Sequence, residues 1–108
     1  MAEPSNGATD EQGQARENRS QLSLQCEVRQ GVRPWKMTLL EDISPSGFRI
    51  AWFPDCRPEI PLRIRIPGLQ LLTANVRWQR DYHVGCEFSS PLHVAVLEHI
   101  VRHANQRG

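Results

Sequence analysis

Six short runs in which apolar and polar residues alternate constrain the fold of this chain more than any other feature. Leu22, Leu24, Cys26 and Val28 alternate with Ser23, Gln25, Glu27 and Arg29. Trp35, Met37 and Leu39 alternate with Lys36 and Thr38, and Phe48, Ile50 and Trp52 follow in the same rhythm. Leu62, Ile64 and Ile66 face one way while Arg63 and Arg65 face the other. Leu72, Ala74, Val76 and Trp78 form a fifth run and Val84, Cys86 and Phe88 a sixth. A period of two puts successive side chains on opposite sides of a strand, so each run reads as a half-buried strand with one apolar face. Turn-forming residues separate them: Gly31-Val32-Arg33-Pro34, Asp42-Ile43-Ser44-Pro45-Ser46-Gly47, Pro54 to Pro58, Pro67-Gly68 and Asp81-Tyr82-His83. Six one-faced strands at this spacing predict a mainly β fold, an antiparallel barrel or sandwich.

The two ends depart from this rhythm. Residues 1–18 contain no Val, Ile, Leu, Phe, Trp or Tyr. Such a segment buries too little apolar surface to offset its ordering entropy, so a disordered N-terminal arm is expected over 1–18, with the folded unit over 19–104. At the other end the period lengthens. Leu92, Val96 and Ile100, with Val94, Leu97 and Val101 beside them, predict a helix over about 91–104, with Ser89 or Ser90 as cap and Pro91 in the first turn. Its wide apolar face needs a barrel end or a partner chain to cover it.

Composition removes several classes of function. The 108 residues carry a formal net charge of +1 with a pI near 7.8, so any anion site must come from local placement of arginines rather than bulk charge. No apolar run approaches the ~18 residues of a bilayer span, and the N-terminus lacks an apolar signal core. Three widely spaced cysteines, Cys26, Cys56 and Cys86, argue against a disulfide framework and fit a reducing cytoplasm. His99 and His103 have the i,i+4 spacing of helical metal ligands. With no convergent carboxylate or thiolate, they read as a solvated face, and no metal site is expected. No residue set suggests catalysis, and no glycine-rich dinucleotide or P-loop cradle is present. Arg63, Arg65, Arg77 and Arg80 with Trp78 could form a basic face for nucleic acid. In a near-neutral chain they are better explained as keeping strands soluble and guarding their edges.

Two polar segments remain, and they complement each other. Arg16 and Arg19 lie just before the first strand, and Asp42, Ser44 and Gly47 lie in the second connection. A guanidinium fork can bond guanine O6 and N7 or pair with phosphate. A carboxylate at Asp42 can accept from guanine N1 and N2. Ser44 and Gly47 would let a phosphate or ribose approach closely, glycine by lacking a Cβ and permitting positive φ. An anionic guanine ligand satisfies both segments; an incidental pair of arginines beside an ordinary turn would have the same composition.

The chain resembles the PilZ domain, the bacterial receptor module for cyclic di-GMP, over roughly residues 14–104. Asp42-Ile43-Ser44-Pro45-Ser46-Gly47 matches the family's (D/N)-x-S-x-x-G motif, continued by Phe48-Arg49-Ile50. Ala74-Asn75-Val76-Arg77-Trp78 and Val84-Gly85-Cys86-Glu87-Phe88 resemble its closing strand pair, V-x-W followed by G-x-x-F. The family's R-x-x-x-R motif is partial: Arg19 takes its second place, Ala15 stands where the first arginine belongs, and Arg16 comes one residue late. The resemblance implies a six-stranded antiparallel β-barrel with a C-terminal α-helix. It implies cyclic di-GMP as ligand, held by Arg16, Arg19, Asp42, Ser44 and Gly47, with no cofactor. The expected role is that of a cytoplasmic, non-enzymatic receptor or adaptor that orders its arm on binding and signals to a protein effector. An adaptor that no longer binds nucleotide, or a nucleic-acid-binding barrel, are the alternatives.

Overall fold

The computed structural model describes residues 19–69 and 71–107, and within them the alternating runs become six strands and one helix. The strands are β1 (Ser20–Gln30), β2 (Lys36–Ile43), β3 (Gly47–Ile50), β4 (Leu62–Arg65), β5 (Leu72–Arg80) and β6 (His83–Phe88), followed by α1 (Val94–Arg107). Every neighbouring pair is antiparallel, and the order β1-β2-β3-β6-β5-β4 closes on itself as a barrel. Closure removes the free edges that a small open sheet would expose. The six-stranded barrel with a C-terminal helix therefore stands as expected. The expected disordered arm over 1–18, and Arg16 with it, lie outside the described residues.

Side chains of all six strands fill the interior, among them Leu24, Val28, Leu40, Ile50, Leu62, Ile64, Ala74, Val84 and Phe88. The helix lies against β1 and adds Leu97, Ile100 and Ala104 to the same core. Burial raises the thiol pKa of Cys26 and Cys86 to about 12 and that of half-buried Cys56 to about 11, so the cysteines behave as small apolar residues rather than nucleophiles. Gln30 is fully buried at the end of β1. It donates to the carbonyls of Arg57 and Ile60 (2.7 Å each) and accepts from the Arg57 N–H (2.9 Å), pinning the long β3–β4 connection to the barrel.

Three local readings of the sequence need correction. In β2 the inward set is Thr38 and Leu40, opposite buried Cys26 and Leu24, while Met37 and Leu39 are exposed. Consecutive leucines let the alternation be read in either phase. Thr38 fits the inward one because its hydroxyl accepts the N–H of Trp52 (3.0 Å). Trp52 itself lies beyond β3 and is exposed. The helix begins at Val94, not Pro91, and neither Ser89 nor Ser90 caps it. His93 does, through its carbonyl to the Leu97 N–H (3.1 Å) and its Nδ1 to the Ala95 N–H (3.1 Å).

Candidate functional site

The turn between β2 and β3 is held by its own serine. The Ser44 N–H donates to the Gly47 carbonyl (2.8 Å), and the Gly47 N–H donates back to Ser44 Oγ (3.3 Å), with Ser46 Oγ 3.5 Å from the same hydroxyl. Ser44 is buried, as an Asx/Ser-type turn residue that satisfies the backbone from within must be. The turn also reaches outward: the Ser46 carbonyl accepts the Phe88 N–H (2.8 Å) and the Pro45 carbonyl accepts the Leu92 N–H (2.7 Å). It is thereby fastened to the end of β6 and to the approach to α1. Gly47 is needed for a reason other than the one its sequence suggested. Its φ is not positive, but a Cβ there would lie 2.2 Å from the carbonyl oxygen of Cys86 on β6. Glycine is required because two strands meet closely, not because the backbone is left-handed.

Two breaks in strand register aim side chains at one patch of the barrel's outside. Between β2 and β3, Leu40 pairs with Ile50 and Asp42 with Arg49, leaving Glu41 as an extra residue. Without that bulge Asp42 would continue the inward row of Thr38 and Leu40; with it, Asp42 turns to the outer face beside Arg49. Between β5 and β6, Val76 pairs with Cys86 and Trp78 with Gly85, leaving Arg77 as the extra residue. Trp78 therefore leaves the core row of Ala74 and Val76 and lies exposed on the outer face, contrary to its place in the alternation. Gly85 makes room for it: a Cβ there would sit 2.1 Å from the indole Nε1.

The result is a cleft of about 430 Å³, whose lining includes Arg19, Ser44, Ser46, Gly47, Arg49, Arg77, Trp78, Gly85 and Glu87. Arg19 Nε stands 3.5 Å from Asp42 Oδ2 and covers that carboxylate, which is only 8% exposed although it faces outward. The other oxygen, Asp42 Oδ1, is buried with no hydrogen-bond partner among the described residues. Arg49 Nε lies 3.2 Å from Glu41 Oε1, near enough for an ion pair though misaligned for a hydrogen bond, and His83 Nδ1 approaches the same oxygen at 3.2 Å. Arg77 donates through Nε and Nη2 to Glu87 Oε1. Three guanidinium groups and an exposed indole thus surround one concavity, with the Asp42 carboxylate covered by Arg19 beside it. Such a set suits a planar, anionic, hydrogen-bonding ligand.

Of the residues singled out in the sequence, Arg19, Ser44 and Gly47 line this cleft and Asp42 lies beneath Arg19; Arg16 lies outside the described residues. Arg49, Ser46 and Gly85 were not singled out for the site, and Trp78 and Arg77 were weighed only for nucleic acid. The signal that could have found Trp78 is its conflict with Gly85, a large side chain paired in register with none. Among the described residues no three His, Cys, Asp or Glu side chains gather as metal ligands. His99 and His103 stack at 6.5 Å between ring centroids; His99 is exposed, while His103 is half-buried, its Nε2 covered and without a hydrogen-bond partner among the described residues. Among the described residues no helix is long and apolar enough to cross a membrane.

The PilZ domain family model matches residues 14–106. Comparison with curated proteins gives no match. Among solved structures, the PilZ domain of CeSA from a cellulose-synthesizing bacterium superposes with a TM-score of 0.60 at 15% identity, covering 82% of this chain and 96% of that one. The inhibitor of motility MotI/DgrA of Bacillus subtilis superposes with a TM-score of 0.53 at 16% identity, covering 85% of this chain. This chain spans half the length of that protein. At such identities the two structures speak for the fold alone.

Proposed function

Because the chain belongs to the PilZ domain family, we propose that it is a receptor for cyclic di-GMP that relays the level of this second messenger to a protein partner in the bacterial cytoplasm. The observation that carries this reading is the Arg19–Asp42 pair at the mouth of the cleft, with Asp42 Oδ1 buried and unpartnered among the described residues. A guanine edge offers N1 and N2 donors to that oxygen and O6 and N7 acceptors to a guanidinium. The phosphates offer charge to the arginines, and the base offers a flat face to Trp78. Ser44 and Gly47 act at one remove, by holding the turn that presents Asp42 against β6.

Relay follows from how the arm and the turn are attached. The arm carrying Arg16 closes over the ligand as it binds, paying its ordering entropy then and creating a surface that did not exist before. The Ser46–Phe88 and Pro45–Leu92 hydrogen bonds connect the turn to the end of β6 and to the approach to α1. Calorimetric titration of the whole chain with cyclic di-GMP tests the reading. Binding is expected, weakened by about 1–3 kcal/mol in Arg19→Ala and in Asp42→Ala. Absence of heat at tens of micromolar protein would overturn the receptor and leave an adaptor that works by protein contact alone.

A further inference from the structure

We propose that Arg77 is a second phosphate-binding guanidinium of this cleft and that Glu87 is a displaceable carboxylate occupying it until the ligand arrives. The inference rests on the cyclic di-GMP reading and deepens it, since it names which side chain the ligand must compete with.

Three guanidinium groups line the cleft, and they are not equivalent. Arg19 is 41% exposed and lies on a nearly buried carboxylate; Arg49 is 36% exposed and shares Glu41 with His83. Arg77 is 62% exposed, and its partner Glu87 is 47% exposed. Water screens such a pair, so opening it costs little. Both nitrogens of Arg77 also converge on one oxygen, Glu87 Oε1. A guanidinium fork is better matched by two oxygens side by side, which a phosphodiester provides. Exchange of Glu87 for phosphate therefore improves the geometry of Arg77 at small cost.

Position supports the same conclusion. Arg77 is the extra residue of the β5 bulge, next in sequence to Trp78, and it reaches diagonally to Glu87 on β6, whose register partner is Asn75. A base stacked on Trp78 would carry its phosphate within reach of the neighbouring residue. The described cleft is electrically balanced, Arg19 against Asp42, Arg49 against Glu41 and Arg77 against Glu87. An anionic ligand gains most where the balancing carboxylate can swing away, and Glu87 is the most exposed of the three acids.

Titrations of the folded wild type, Arg77→Ala, Glu87→Gln, the double variant and Arg19→Ala with cyclic di-GMP decide the matter, with thermal melts to confirm folding. Arg77→Ala is expected to weaken binding at least tenfold. Glu87→Gln is expected to strengthen it severalfold, and that gain is expected to vanish in the Arg77→Ala background. Wild-type affinity in Arg77→Ala beside loss in Arg19→Ala would overturn the proposal and spare the receptor reading. Weaker or unchanged binding in Glu87→Gln would overturn it as well, by making Glu87 a ligand contact or a bystander. Should Arg77→Ala fail to fold, Glu87→Gln alone decides by the same criterion. No binding by wild type or by Glu87→Gln would overturn both readings together.

Discussion

The two outer faces of the barrel are built from the same materials and put to different uses. On the β4-β1-β2 side, pairing runs without interruption from Leu24 to Gln30, and the outward residues form a regular grid. Glu27 lies between Met37 and Arg65, Gln25 beside Leu39, and Arg29 beside Arg63. The cations there serve the protein itself: Arg65 sits 3.9 Å above the Trp35 ring and 3.4 Å from Glu27, and Arg29 lies 5.2 Å from the same ring. On the β3-β6-β5 side the grid is bordered by a bulge at Glu41 of β2 and broken by one at Arg77 of β5; Gly85 makes room for Trp78, and Gly47 lets β3 approach the Cys86 backbone. There Trp78 has no cation above it among the described residues, and Arg49 and Arg77 have a shared and an exposed carboxylate. Regular pairing produces a self-satisfied surface; interrupted pairing produces one with something left to bind.

The comparison breaks most readily at Gly47. If the cleft face depends on strands meeting closer than a Cβ allows, Gly47→Ala should destabilise the protein by about 3 kcal/mol or more, because the obstacle is the Cys86 backbone and not a movable side chain. The urea midpoint measures this directly. A near-wild-type midpoint would mean that β3 and β6 separate cheaply and that the cleft's floor is soft. On the other side stability should come from within. Gln30→Ala removes three hydrogen bonds and strands buried backbone groups, at an expected cost of about 2–3 kcal/mol by the same measurement. Cyclic di-GMP affinity should stay unchanged, since Gln30 lies away from the cleft lining.

The tryptophans sharpen the contrast in binding rather than folding. Trp78→Ala should lose about 1–3 kcal/mol of affinity for cyclic di-GMP, the usual worth of one base stacked on an aromatic ring. Trp35→Ala should lose none. Gly85→Ala should resemble Trp78→Ala more than wild type, because its methyl group must displace the indole. Titration of the three variants separates the faces, and equal losses at Trp35 and Trp78 would erase the distinction between them.

What the sequence made legible follows the same division. The six strands, the barrel class and the Asp42–Gly47 turn were readable because alternation and turn chemistry are local properties. The phase of β2 was not, since Leu39 and Leu40 fit either one. Register breaks at Glu41 and Arg77 depend on which strand lies alongside, which no local pattern records, so the outward turns of Asp42 and Trp78 were invisible. The glycines show the limit most clearly. Gly47 looks like a flexible turn residue and Gly85 like an incidental strand glycine, yet each is dictated by a neighbouring strand, the Cys86 backbone for one and the Trp78 side chain for the other.

The smallest expected effect tests whether the regular face is held by its ring or by its charges. Arg65 has both a carboxylate and an indole within reach, each partly exposed. An exposed ion pair contributes about 0.5 kcal/mol or less and fades with salt. A guanidinium stacked over tryptophan contributes about 0.5–1 kcal/mol, part of it through packing that salt does not screen. Glu27→Gln should therefore change stability by less than about 0.5 kcal/mol, and Arg65→Ala by about 1 kcal/mol, with the gap between them persisting in high salt. Urea denaturation at low and high ionic strength resolves the two. Equal losses that both disappear in salt would show Arg65 tied to Glu27 as Arg77 is tied to Glu87, and the two faces would then differ only in shape.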